Sequence, residues 1–163
     1  MRFFTRFKDE TGSEVVEFGL VLLPLLAFLF LIMDVAWICF AQSSLQHAVQ
    51  VGVRAAISGY VPAGTAHQDD YLKNVVQQNA MGFLAGDDGR NLISVNYYNP
   101  ANLSKPLSGF GSNAGGNVIE ISVKEVPVST LGPILRESWA KVYMKANSSD
   151  VMEGSPGSSA APR

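Results

Sequence analysis

The sequence predicts an α+β protein, in which one long N-terminal transmembrane helix extends into an exported head containing a second helix and a small antiparallel sheet. Three observations predict this fold: a long apolar N-terminal run, a second helical pattern behind it, and strand-like runs toward the C-terminus. With 163 residues in total, the chain has room for one small domain beyond the long helix.

The apolar run is long enough to cross a bilayer. Residues 15–41 are apolar or small except for Glu17 and Asp34. As a helix they extend about 40 Å, at about 1.5 Å per residue, which exceeds the roughly 30 Å hydrocarbon core of a bilayer. The run is also longer than the apolar part of a cleaved secretory signal peptide. We expect Asp34 to lie at the far membrane interface, where water solvates it.

Basic residues flank the run on one side only. Arg2, Arg6 and Lys8 precede it, and the next basic residue is Arg54. The positive-inside rule keeps the basic flank in the cytoplasm. The N-terminus is therefore expected to be cytoplasmic, and the rest of the chain to be exported.

Four residues form a pattern at the start of the run. Gly12 ends a short basic leader, the small polar Ser13 follows it, and Glu17 lies inside the entering helix. An acid at the bilayer centre costs about 3 kcal/mol, and less toward the interface, so Glu17 needs a partner, a function or solvation at headgroup level. Pro24 removes a backbone hydrogen bond inside the span and predicts a kink.

This pattern resembles the class III prepilin-like signals of type IV pilin-like proteins. Together with Asp34 and the small residues at 52–56, it resembles the TadE-like family, which are pseudopilins of the tight-adherence (Flp) pilus assembly system. The resemblance implies a bacterial inner-membrane protein with a periplasmic head, cut between Gly12 and Ser13 by a prepilin peptidase. It also implies that Glu17 pairs with the N-terminal amine of a neighbouring pilin or pseudopilin subunit within the pilus assembly machinery.

Periodicity divides the rest of the chain. A leader over residues 1–12 and a membrane and amphipathic helix over 13–60 precede a head over 61–147, and a disordered tail rich in Ser, Gly, Pro and Ala follows at 148–163. Within the head we expect the second helix over residues 66–84 and a turn at 86–89. The aspartates of that turn lack the alternating spacing of a calcium loop.

Alternating apolar residues predict three strands, over residues 92–98, 118–126 and 138–145. The glycine-rich connection at 99–117 precedes a strand and opens no helix, so it does not match a nucleotide-binding loop. We expect an exposed, mobile loop there.

The composition excludes several function classes. The net charge of −2 provides no basic excess for nucleic-acid binding, and a single cysteine, Cys39, allows neither an intrachain disulfide nor a multi-cysteine metal site. We expect no cofactor, no metal and no catalytic residues, and we expect His47 to be solvated. The favoured function is a pseudopilin of pilus assembly. The alternatives are an uncleaved single-span anchor that displays a periplasmic binding or scaffold domain, and an exported enzyme with a retained anchor.

Overall fold

A computed structural model describes residues 10–59, 67–109, 111–130 and 141–153. The described part contains a long N-terminal helix, shorter helices and one antiparallel sheet, which confirms the predicted α+β class. Its elements in chain order are α1 (Glu10–Ile57), α2 (Gln68–Asn79), α3 (Gly86–Asn91), β1 (Ile93–Asn99), β2 (Asn102–Leu107), β3 (Val118–Ser129) and β4 (Lys141–Val151).

The sheet has four antiparallel strands in the order β2-β1-β3-β4. Its long strand β3 carries a bulge at Lys124 and Glu125, where two residues lie opposite one residue of β4. Glu125 has a φ of 59°, in the left-handed region. In a regular strand, residues three apart face opposite sides of the sheet. Because of the bulge, Val123 and Val126 both face the core. The apolar side chains on both sides of the bulge therefore lie on the same face of the sheet.

The core lies between the second half of α1, the helix α2 and one face of the sheet. Small and branched side chains of α1 supply its centre, and they recur at helical spacing. Two residues beyond the end of α1, Gly59 has the left-handed conformation (φ 63°), which suits a glycine cap. The buried apolar residues of α1 are Ala41, Leu45, Ala48, Val49, Val53 and Ala56.

α2 runs back along α1 toward the membrane-spanning half. Gly52 of α1 lies against Val76 of α2, and a Cβ added at position 52 would be 2.6 Å from the Cγ2 of Val76. Further along, the Ser44 hydroxyl of α1 lies 3.8 Å from the sulfur of Met81, just beyond the end of α2. The two helices are therefore antiparallel, and the turn after α2 lies nearest the membrane-spanning half of α1.

Two polar contacts fasten α2 to the elements that follow it. The Tyr97 hydroxyl of β1 donates a 2.9 Å hydrogen bond to Asp69. Arg90 of α3 forms a 2.8 Å ion pair with Asp70. α3 itself packs closely on the preceding turn, because a Cβ added at Gly89 would lie 2.3 Å from the carbonyl of Leu84.

Several predicted boundaries differ from the structure. α1 begins at Glu10 and so includes Gly12 and Ser13 in its first turn, whereas the helix was expected to start at residue 13. The expected turn at residues 86–89 is the start of α3, since Gly86 and Gly89 permit a tight helical turn there. The predicted leader lies largely outside the described residues, as do residues 60–66, where the end of the first helix and the start of the second were expected.

The connection at residues 99–117 was expected to be an exposed, mobile loop, and the structure confirms its exposure over residues 102–106 but not the loop. It contains β2, an edge strand that pairs with β1 and tolerates Pro106 because an edge strand has one unpaired side. Ser112 and Asn113, farther along the connection, are buried. The Asn113 amide donates a 2.6 Å hydrogen bond to the buried Gln68 of α2, which fixes this segment against the head.

The expected disordered tail is wrong over its first residues. Ser148 and Asp150 belong to β4, because their backbone pairs with β3 at Ile121 and Ile119. Backbone pairing does not require an apolar side chain, so this polar sequence forms a strand. Residues 154–163 lie outside the described residues, as does the predicted start of the last strand at 138–140.

Candidate functional site

The first half of α1 extends beyond the head as a bare apolar helix. One helix among the described residues is long and apolar enough to cross a membrane. It covers Gly12–Ile57, and its most apolar 18 residues have a mean hydropathy of 2.7 and are not buried. Such a surface is stable only in a bilayer or against other apolar helices. By length and composition, the described part of the chain therefore has one candidate membrane-spanning helix.

Gly12, Ser13 and Glu17 lie together at the start of this helix, and all three are exposed. A Cβ added at Gly12 would meet nothing within 4 Å, so the backbone there is open to approach. Ser13 and Glu17 are separated by four residues, which places them on the same face about 6 Å apart along the axis. A new amine at Ser13 would share that face with the Glu17 carboxylate.

Pro24 lies inside α1, in the exposed apolar part, and the helix is continuous through it. A proline has no backbone N–H, so the carbonyl of Leu20 one turn earlier loses its helical donor. The expected kink at Pro24 stays a prediction.

The expectation that water solvates Asp34 at the membrane interface is wrong. Its side chain is only 4% exposed, although the apolar residues on either side of it are open. A carboxylate near the end of a membrane span is expensive where it faces lipid, and burial by protein removes that contact. Protein therefore covers α1 earlier along the helix than its apolar pattern indicated.

Aromatic side chains mark the point where α1 meets the head. Trp37 and Phe40 of α1 stack at 5.8 Å between ring centroids, and Phe83 lies 5.7 Å from Trp37. The Trp37 indole N–H donates a 3.2 Å hydrogen bond to the carbonyl of Ser129, the last residue of β3. This contact brings the end of β3 to the same level as the end of the apolar run.

Two glutamines of α1 cover the edge strand β4, a contact that sequence reasoning missed. The side-chain amides of Gln42 and Gln46 donate 2.8 Å hydrogen bonds to the carbonyls of Lys145 and Asn147. Four residues of helix rise about 6 Å and two residues of strand about 6.6 Å, so the spacings match. The two glutamines thereby occupy backbone carbonyls of β4 that could otherwise accept hydrogen bonds from another strand. Its sequence signal is a repeated glutamine at helical spacing.

A groove of about 940 Å³ lies between α1 and β4. Cys39 and His47 line it on the α1 side, and both are exposed, as expected for His47. No group of three or more His, Cys, Asp or Glu side chains in the described parts of the chain could hold a metal ion.

One ionisable group in the head has a shifted pKa. The pKa of Tyr98 is raised above its ordinary value of 10.0 because its hydroxyl forms a hydrogen bond with the Glu120 carboxylate. Burial and the negative charge of Glu120 raise it further. The two side chains lie on neighbouring strands β1 and β3, so the pair is a cross-strand contact remote from α1.

The part of α1 with this geometry is also the part that matches a known family. The family model described as TadE-like protein matches residues 12–54. This match confirms, over these residues, the resemblance seen in the sequence. The TadE-like segment, residues 12–54, begins at Gly12 and includes Ser13, Glu17, Pro24 and Asp34. Comparison with curated proteins and with solved structures returned no match.

Within the TadE-like segment, the structure separates two roles. Its first half, with Gly12, Ser13 and Glu17, projects from the head as an exposed apolar helix. Its second half forms one side of the core. The match does not extend over α2 or the sheet.

Proposed function

We propose that this chain is a TadE-like pseudopilin or minor pilin that acts in the assembly of a tight-adherence (Flp) pilus. The observation that carries the proposal is the TadE-like match over a helix whose exposed apolar half begins with Gly12, Ser13 and Glu17. The chain acts by helix packing in the bacterial inner membrane and by contacts of its periplasmic head. It is a structural component and not an enzyme.

Processing by a prepilin peptidase is the first step of this function. The enzyme cuts between Gly12 and Ser13 on the cytoplasmic side and leaves an amine at Ser13. Glu17 of one subunit then pairs with the Ser13 amine of its neighbour in the membrane. Opposite charges attract strongly where water is scarce, and each is penalised there alone, so the pairing sets the register between subunits.

The experiment that tests the proposal is the intact mass and N-terminal sequence of the protein from membranes of cells with and without their prepilin peptidase. We expect the chain to start at Ser13 when the peptidase is present and at Met1 when it is absent. A start at Met1 in both would contradict the proposal and favour the uncleaved single-span anchor.

Removing the charge of Glu17 should weaken assembly without affecting processing. Glu17→Gln keeps the size of the side chain and abolishes its attraction to an amine, so we expect several-fold fewer surface filaments by electron microscopy. The mature chain should still start at Ser13. Glu14→Gln is the matched control, because Glu14 is also exposed and lies closer to the cytoplasm. Equal filament numbers for the two variants would show that Glu17 sets no register.

A further inference from the structure

We propose that the base of the head rests on the membrane surface, with its exposed apolar side chains inserted among the lipid headgroups. The inference depends on the single membrane span and not on pilus assembly. The base is the set of side chains on the side of the head nearest the membrane-spanning half of α1: Trp37, Phe40, Met81, Phe83, Val142 and Tyr143.

Contacts from three elements establish that level. The Trp37 indole reaches the carbonyl of Ser129, so the end of β3 lies beside Trp37. Ser129 pairs with Lys141, so β4 begins at the same height. Phe83 lies 5.7 Å from Trp37 and 6.4 Å from Phe40, which brings the turn after α2 to this level as well. The base therefore surrounds α1 on more than one side.

The exposed large apolar side chains of the head are concentrated there. Met81 is 68% exposed and Tyr143 is 63% exposed, and Val142 beside Tyr143 is also open. Among the described residues beyond α1, the other large exposed apolar side chains are Leu103 and Val151. Both lie at the opposite end of the sheet, where β4 ends and the β1–β2 hairpin turns. Three of these five side chains thus lie on the side of the head nearest the membrane-spanning half of α1.

The length of the span places the base at the outer interface. Trp37 follows Glu17 by 20 residues of helix, which extend about 30 Å and so match the hydrocarbon core of a bilayer. A span of that length that begins at Glu17, the last charged residue before the apolar run, ends at Trp37. Asp34 falls just inside it and is only 4% exposed, so its carboxylate is kept from the lipid.

The chemistry of the base suits a lipid surface better than a protein partner. Tryptophan and tyrosine favour the headgroup region, because their rings are apolar and carry one polar group. Lys141, which is exposed at the start of β4, can direct its ammonium toward lipid phosphates. The lining of the groove beside α1 becomes more polar with distance from the base. Ile38 and Val142 line it near the base, and Gln46 and Gln50 line it farther away. This gradient follows the passage from lipid to water.

The backbone conformation of Met81, one of the residues of the base, is unusual. It has a φ of 49°, in the left-handed region that a bulky side chain rarely adopts. In this conformation the apolar Met81 side chain is 68% exposed on the turn after α2.

The test uses the full chain in phosphatidylethanolamine and phosphatidylglycerol vesicles. The single native cysteine is first removed by Cys39→Ser. Met81→Cys and Tyr143→Cys then place an environment-sensitive fluorophore at the base, and Leu103→Cys and Val151→Cys place it at the far end. We expect nitroxide lipids labelled at the headgroup to quench the base fluorophores several-fold more than the far-end fluorophores, whose side chains are similarly exposed in the head.

Two base positions keep the test decisive if one variant fails to reproduce the circular dichroism of the parent chain. Equal quenching at the base and the far end would overturn the proposal. A second copy of the chain could also cover the base, so the measurement is repeated at a much higher lipid-to-protein ratio. Quenching that is independent of this ratio supports the lipid. Protection of the base fluorophore that disappears on dilution, without lipid quenching, would overturn it in favour of a second copy.

Discussion

Replacing Gly12 with leucine is expected to leave the chain uncut, heavier than the mature protein by residues 1–12. Two physical effects act in the same direction. A leucine side chain blocks close approach of a protease to the backbone, which is open at Gly12. Gly12 also lies in the first turn of α1, and leucine favours a helix over glycine by nearly 1 kcal/mol, so the turn opens less readily for cleavage.

Gly19→Leu is the matched control for that experiment. Gly19 lies deeper in the same helix, and a Cβ added there also meets nothing within 4 Å. The substitution raises helix propensity equally but is remote from the proposed cut, so the mature mass should change only by the substitution. Intact mass spectrometry of both variants from membranes measures the difference. A Gly12→Leu chain cut as efficiently as the Gly19→Leu chain would place processing elsewhere.

Replacing Gly52 with alanine is expected to destabilise the packing of the head on α1 by about 1–3 kcal/mol, the usual cost of overfilling a close-packed core. An added Cβ would lie 2.6 Å from Val76 Cγ2 and 3.1 Å from Ile121 Cδ1. Val76 is fully buried and its branched side chain has one preferred rotamer in a helix, so it cannot move aside cheaply. The readout is the thermal unfolding midpoint by near-ultraviolet circular dichroism in detergent.

A double-mutant cycle isolates the steric cause. Val76→Ala removes the clashing methyl group and by itself leaves a small cavity. Combined with Gly52→Ala, it should cost less than the sum of the two single variants, because the added methyl occupies part of that cavity. Gly19→Ala, in open space on the same helix, should leave the midpoint unchanged. Strict additivity of the two substitutions would show that the close approach at Gly52 does not limit stability.

The TadE-like segment was predictable because its signals are local. Gly12, Ser13 and Glu17 are adjacent along one helix, and their spacing needs no tertiary contact to be read. The base of the head was not predictable in the same way. Trp37 and Tyr143 are far apart in sequence, and only the pairing of β3 with β4 brings them to one level.

Sequence alone determined the long apolar helix, its start near a conspicuous glycine and acid, and the alternation of β3, since helical and strand periodicities are properties of neighbouring residues. Tertiary structure decided the elements whose stability comes from distant partners. β2 has no buried alternation and exists by pairing with β1. The polar end of β4 is a strand because β3 supplies its hydrogen bonds. Asp34 is buried only in the folded chain, a condition that no local pattern encodes.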